Sequence, residues 1–348
     1  MKKKVLIVGA FAFKTMDTGG QPVKTRELYY ALQNQYGKNQ VDYLETVGWK
    51  KKPLTVIKDF FTKAKKSKNI IMLPAQKGVI VFSKLLLISR KLFGNKIFYD
   101  VIGGWLPDKT KRNKKLSNDL RKFDGIWVET NIMNRNLKEQ GFSNTYVVRN
   151  FKRLTPIDIN KIHNPSTLGL KICIFSRLMK EKGIMDAVKA VTDINSSKTN
   201  SIKLDIYGPV DPSFTEQFEL LKEHFSDDIQ YKGIVKPEKS VEVLKNYDAL
   251  LFPTRYATEG LPGTIIDAYA AGIPVISSKW NSFSDIVDEG KTGIGYPIGS
   301  FEGLVQCLNW ACNHKEELSG MKLNCVAKAR EFLPQNALSE IIGGGYFN

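Results

Sequence analysis

The chain has 348 residues, 42% of them hydrophobic and 25% charged, with 52 Lys+Arg against 35 Asp+Glu for a net charge of +17. That length suits two domains, and the composition excludes wholesale disorder. No stretch is a bilayer span of about 18–20 uninterrupted apolar residues, because the best one, residues 70–88, is broken by Pro74, Gln76, Lys77 and Lys84.

In chain order, residues 5–8 read as a buried strand ending at Gly9, 24–35 as a helix, 41–44 and 69–73 as strands, and 77–93 as a helix stopped by Gly94. Residues 96–102 form the next expected strand, followed by 125–129, a helix over 131–140 and a strand over 145–149. Residues 156–170, with Pro156 and Pro165, break the rhythm and read as a linker. Strands are then expected at 171–175, 202–207, 229–231, 249–252 and 274–277, and helices at 184–194, 214–224, 238–246, 264–271, 304–310 and 318–332. The alternation predicts an α/β protein of two Rossmann-like domains facing across a cleft. The domains would be residues 1–155 and 171–328, with residues 329–348 packing back toward the first.

The positive charge is uneven. Up to Leu168 there are 33 Lys+Arg and 12 Asp+Glu, a net +21, and the remainder is net −4. Such asymmetry points to an anionic membrane surface, a polyanion or a phosphorylated substrate. The apolar helix 77–93, with Lys84, Arg90 and Lys91, and the basic run 109–115 are the candidate membrane contacts. Met1-Lys2-Lys3-Lys4 leads into Gly9 without an export-type core, so a cytoplasmic protein is expected. Cys173, Cys307, Cys312 and Cys325 form no C-x-x-C pair. A zinc site from Cys307, Cys312 and His314 has poor spacing, and reduced structural thiols are expected.

Residues 259–275, EGLPGTIIDAYAAGIPV, carry the clearest chemistry. Pro262 suits the first turn of a helix, and Gly260 and Gly263 let a ligand approach the backbone around Leu261. The unpaired N–H groups at the helix start suit anionic ligand groups, and Gly272 and Pro274 end the helix. Glu259 in the loop and Asp267 in the helix are both placed to face one ligand.

This segment resembles the donor-binding motif of family-4 (group 1) glycosyltransferases, retaining enzymes of the GT-B fold, with Asp267 where their second Glu stands. Residues 175–183, FSRLMKEKG, resemble the same family's G-R-L-x-x-x-K-G element, with Ser176 in place of Gly. The resemblance implies that Arg177 and Lys182 neutralise the donor diphosphate, that Glu259 acts at the reacting sugar and that Asp267 contacts ribose hydroxyls. It also implies a Gly-rich loop at Thr18-Gly19-Gly20, and backbone contacts to the base near Gly208 and Val235. No cofactor or metal is implied; the nucleotide-diphospho-sugar is the donor substrate.

Family members commonly carry a His beyond the fourth strand. This chain has only His163, His224 and His314, and the matching stretch holds Asp100, Gly103, Gly104 and Trp105. Asp100 is a candidate replacement and Trp105 a candidate stacking platform for an acceptor sugar. The expected function is a hexosyltransferase-type, retaining transfer to a lipid-linked or polysaccharide acceptor in cell-surface (capsule or exopolysaccharide) synthesis, at the inner face of the plasma membrane. The alternatives are a GT-B-fold nucleotide-sugar epimerase and a basic nucleic-acid-binding protein. The scarcity of histidines and the absence of a recognition motif weigh against them, so no nucleic-acid partner is expected.

Overall fold

A computed structural model of the chain describes residues 2–16, 19–161, 169–197, 200–339 and 341. Thr18 of the expected Gly-rich loop, residues 162–168 of the expected linker and residues 342–348 lie outside the described residues. The chain divides into two units, Met1–Arg153 with Pro334–Asn348, and Leu154–Leu333.

In the first unit, β1 (Lys3–Gly9), β2 (Val41–Glu45), β3 (Ser67–Met72), β4 (Lys96–Asp100), β5 (Gly125–Val128) and β6 (Thr145–Val147) form one sheet in the order β2-β1-β3-β4-β5-β6. Every pairing is parallel. The connecting helices are α1 (Gly20–Tyr36), α2 (Pro53–Lys65), α3 (Val79–Phe93), α4 (Leu106–Arg112), α5 (Lys114–Leu120) and α6 (Asn131–Glu139). Side chains alternate across a strand, and β1 shows it. Leu6 and Val8 pack with Phe60 of α2 and Phe82 and Leu86 of α3. Val5 and Ile7 pack with Leu28 and Leu32 of α1, and with Leu338 and Ile341 from the end of the chain.

The second unit repeats the plan. Strands β7 (Leu170–Phe175), β8 (Ile202–Tyr207), β9 (Ile229–Gly233), β10 (Ala249–Phe252), β11 (Val275–Lys279) and β12 (Gly293–Pro297) run parallel in the order β12-β11-β10-β7-β8-β9. Its helices are α7 (Ile184–Ser196), α8 (Thr215–Lys222), α9 (Ser240–Leu244), α10 (Gly263–Ala270), α11 (Phe283–Ile286), α12 (Phe301–Asn313), α13 (Lys315–Gly320) and α14 (Lys322–Ala329). Ile172 and Ile174 of β7 face the layer holding α7 and α12, and Cys173 faces the one holding α10 and α14. All four cysteines are free thiols.

The basic run 109–115 spans the end of α4 and the start of α5. Two sequence expectations need correction. The expected single helix 318–332 is broken near Gly320 into α13, α14 and a 3-10 turn at Arg330–Phe332. Pro262 caps α10 in an extended conformation instead of sitting in its first turn. Of the expected linker, Ile157 donates its N–H to the carbonyl of Ala270 at 2.8 Å, which fastens that stretch to the second unit. The sequence pattern assigns no element to α2, α4, α5, α11 or β12. The GIGYP sequence of β12 reads as a turn, but at a sheet edge Gly and Pro are tolerated. A Cβ on Gly293 would lie 2.3 Å from the carbonyl oxygen of Val275, so close pairing with β11 requires glycine there.

Candidate active site

In an open parallel sheet the strand order reverses at one place, and ligands bind outside the carboxyl ends of the strands there. In the second unit that place lies between β7 and β10. The segment after β7 brings Ser176, Arg177 and Lys182. The segment after β10 brings Pro253, Thr254, Glu259 and the start of α10.

Two glycines set the spacing. Gly183 has φ +70°, and a Cβ there would stand 1.9 Å from the carbonyl oxygen of Pro253, so the Lys182 turn lies directly against the end of β10. Gly208 has φ +134°, and a Cβ there would stand 1.7 Å from the carbonyl oxygen of Ser176. Its N–H donates to the carbonyl of Gly233 at 2.9 Å, which gathers the ends of β7, β8 and β9. Positive φ and a missing side chain are both needed at these positions.

The side chains meet across this seam. The ammonium of Lys182 donates to Oε1 of Glu259, both side chains being mostly buried, and lies 5.2 Å from the centre of the Phe252 ring. The hydroxyl of Thr254 donates to the same Glu259 oxygen at 3.3 Å and accepts from the N–H of Tyr256 at 3.1 Å. Arg255 grips Asp186 of α7 through two bonds of 2.6 and 2.7 Å, which raises its guanidinium pKa further, while its N–H donates to the carbonyl of Glu181 at 2.7 Å. The loop carrying Glu259 is thereby tied to the turn carrying Lys182.

Arg177 is exposed beside Asp211, at 3.8 Å. The carboxyl of Asp211 is held below its ordinary value, first by the hydroxyl and N–H of Ser213 and then by Arg177. Leu261 is buried, and the indole N–H of Trp280 donates to the carbonyl of Gly260 at 3.4 Å, anchoring the loop before α10. Asp267 lies just beyond the first turn of α10 and is buried. Gly260, Pro262 and Gly263 line the approach to the helix start. Val235 follows β9, next to the exposed Ile234.

In the first unit the order reverses between β1 and β3. Gly19 precedes α1 and Gly20 opens it, with open space where a Gly20 side chain would stand. Asp100, at the end of β4, is buried against the ammonium of Lys24 at 2.8 Å. That ammonium also meets Oε1 of Glu129 at 3.0 Å and the carbonyl of Val101 at 2.8 Å. The other Glu129 oxygen accepts from the N–H of Gly103 at 3.2 Å, which pins the turn through Gly103, at φ +78°, and Gly104. Burial pushes the Asp100 carboxyl up to about 6, with Lys24 opposing and Glu129 reinforcing the shift. Burial works against the Lys24 charge, but the two carboxylates outweigh it and its pKa is raised.

Trp105 is not the expected platform. Its ring is buried in the core, its indole N–H donates to the carbonyl of Ile102 at 2.7 Å, and Lys109 sits 5.6 Å over its centre. Asp100 is likewise committed to Lys24 and not to a solvent-facing role. The sequence reading passed over Lys24, Glu129 and Thr254. The readable signal was a lysine on the sheet-facing side of α1, opposite acids at two strand ends.

Two parallel α/β units, each with one reversal of strand order, have the fold of the GT-B glycosyltransferases. The family model for glycosyl transferases group 1 matches residues 158–331, half of the chain, and the chain belongs to that family. Among curated relatives, it is 26% identical over 129 residues to an uncharacterized glycosyltransferase, MJ1069, of Methanocaldococcus jannaschii, covering 36% of this chain and 31% of the relative. It is 26% identical over 142 residues to the putative colanic acid biosynthesis glycosyltransferase WcaL of Salmonella typhimurium, covering 39% and 34%. The chain thus spans about a third of the length of these relatives. Its fold is similar to that of Anabaena Alr3699/HepE in complex with UDP and glucose, with a TM-score of 0.71, 15% identity and 98% of each chain covered.

Proposed function

We propose that the chain is a retaining, hexosyltransferase-type glycosyltransferase. It moves a sugar from a nucleotide-diphospho-sugar to a lipid-linked or polysaccharide acceptor in cell-surface polysaccharide synthesis, working at the cytoplasmic face of the plasma membrane. The observation that carries this reading is the Lys182–Glu259 pair at the reversal point of the family-matched unit, with Arg177 on the same segment. A polysaccharide role is supported by the colanic acid relative, and a nucleotide-diphospho donor by the UDP and glucose bound to the structural neighbour.

In this mechanism Arg177, Lys182 and the opening N–H groups of α10 take up charge on the leaving diphosphate, where it develops most in the transition state. The bond between the sugar C1 and the phosphate oxygen breaks. The acceptor hydroxyl forms the new C1–O bond on the same face, and its proton passes to the departing phosphate, so no protein base is required. Glu259 orients Lys182 and faces the sugar, Asp267 holds the ribose, and the backbone near Gly208 and Val235 receives the base. Gly19 and Gly20, at the start of α1, are assigned to the donor, and the Gly103–Gly104 turn with Asp100 behind it to the acceptor.

The test is transfer or hydrolysis screened over UDP-, GDP- and ADP-sugars, with NMR of the anomeric proton of the product. Retained configuration and release of a nucleoside diphosphate are expected. An inverted product refutes the mechanism, and the absence of both turnover and nucleotide binding refutes the activity.

A further inference from the structure

We propose that the outer surface of α2 and α3 seats the first unit on an anionic lipid bilayer. The inner faces of these helices are accounted for: Phe60 and Ala64 of α2 and Val79, Phe82 and Leu86 of α3 lie in the core. The outer faces have no such reason to be apolar. Yet Leu54 is 81% exposed, Leu92 is 61% exposed, and Ile80 and Ile88 are exposed as well. Ile80, Lys84, Ile88 and Leu92 follow at intervals of four, so they form one line along the outside of α3.

The charge on this surface is almost entirely positive. Residues 49–93 hold 12 Lys+Arg and a single acid, Asp59. Lys63 and Arg90 are engaged with Asp42 and Asp124. Lys58, Lys65, Lys66, Lys84 and Lys91 are exposed, and among the described residues no ion pair engages them. Such lysines reach lipid phosphates while leucine and isoleucine enter the headgroup–acyl boundary. α3 has 15 residues and so lays a contact about 22 Å long. A surface made only for solubility would not align isoleucines and a leucine between its lysines. A nucleic-acid backbone would use the lysines and leave Leu54, Ile88 and Leu92 without a role. The α4–α5 run with Lys111, Arg112, Lys114 and Lys115 adjoins it, since α5 packs beside α3.

This inference names a partner for the proposed lipid-linked reaction, but it is read without donor or acceptor, so its failure and the failure of the transferase reading are separable. The full chain is floated with phosphatidylcholine vesicles, with and without about 30% phosphatidylglycerol. Binding is expected to the anionic vesicles only, and to fall at least about tenfold in 1 M salt, where the Debye length is about 3 Å. The triple variant Lys58→Glu, Lys84→Glu, Lys91→Glu is expected to lose at least about tenfold. Leu54→Ser, Ile88→Ser, Leu92→Ser should lose several-fold with an unchanged melting temperature. The charge-matched control Lys203→Glu, Lys239→Glu, Lys291→Glu, on the second unit, should bind like the unaltered chain. Three results overturn the proposal: equal or no binding to both vesicle types, an equal loss in the control, or RNA binding that outcompetes vesicles while the serine variant leaves both unchanged.

Discussion

Lys24 and Asp100 face each other 2.8 Å apart at the end of a parallel sheet, each side chain only 1% exposed. With Glu129 on the same ammonium, one cation is shared by two buried carboxylates. Removing one partner of a buried charge pair typically costs about 3–5 kcal/mol, because the other is left without compensation. Lys24→Met strands two carboxylates and should lose at least that much in urea unfolding. Asp100→Asn leaves a one-to-one pair and should lose less. The pH dependence separates them further. The folded chain keeps a proton on Asp100 up to about 6, whereas the unfolded chain releases it near 3.8, so this group's contribution to stability declines as pH rises between those values. Asp100→Asn removes that decline, so its deficit relative to the unaltered chain should shrink from pH 4 to pH 6.5. The raised pKa of Lys24 acts elsewhere: its stabilisation is complete below 10.5 and is lost only as pH climbs past the folded value.

Gly183 and Gly233 share nearly the same φ, +70° and +76°, but not the same surroundings. An alanine at Gly233 meets nothing within 4 Å, so only the backbone preference opposes it, about 1–2 kcal/mol. At Gly183 the added carbon would collide with the Pro253 carbonyl at 1.9 Å, and the Lys182 turn must move away from β10. Gly183→Ala should therefore cost clearly more than Gly233→Ala in thermal unfolding, and it should also weaken nucleotide binding by calorimetry. Equal costs would mean that the close packing of the two loops is not what holds the site.

The two sheets were legible because many of their strands are short apolar runs with Gly, Pro or Asp at or just past the end, as in β1, β3, β4, β8 and β10. Residues 202–207 and 249–252 match the structure to the residue. The site segments were legible through glycines whose necessity the structure explains, Gly183 and Gly208 among them. What stayed hidden had no local pattern. β12 is spelled with turn residues, and α2 interleaves lysines with its apolar positions. The Lys24–Asp100–Glu129 group joins residues 76 and 105 positions from the lysine, which no spacing rule reaches. Trp105 and Asp100 were legible as residues at a strand end but not as buried ones, since burial there depends on Ile102 and Lys24.

Asp267 stands where the family's pattern has Glu, but it is buried within α10, next to the packed Ala268 and Tyr269. An additional methylene in a close-packed position typically costs about 1–3 kcal/mol. Asp267→Glu should therefore fold with a lowered melting temperature while keeping nucleotide binding within a few fold. Asp267→Asn keeps the volume and loses the charge, so it should retain stability better and bind nucleotide more weakly. If Asp267→Glu abolishes binding while still folded, this carboxylate does not occupy the ribose position.

Lys182, Arg177 and Glu259 should separate by the kind of defect they produce. Lys182 is mostly buried and engaged with Glu259, whereas Arg177 is exposed. In the proposed mechanism both cations stabilise charge that grows as the diphosphate departs, so Lys182→Ala and Arg177→Ala should each lower kcat by about 10²–10³. Arg177→Ala should leave the melting temperature unchanged, because an exposed pair at 3.8 Å contributes little to stability. Lys182→Ala should lower it, because among the described residues Glu259's carboxylate then keeps only the Thr254 hydroxyl at 3.3 Å. Glu259→Gln keeps the shape and a weaker bond to Lys182, so it should fold normally, bind nucleotide nearly as well and lose turnover. Steady-state kinetics with calorimetry of nucleoside diphosphate binding distinguishes the three. Unchanged kcat in both cation variants would remove the diphosphate assignment, and unchanged kcat in Glu259→Gln would reduce that carboxylate to a structural partner of Lys182.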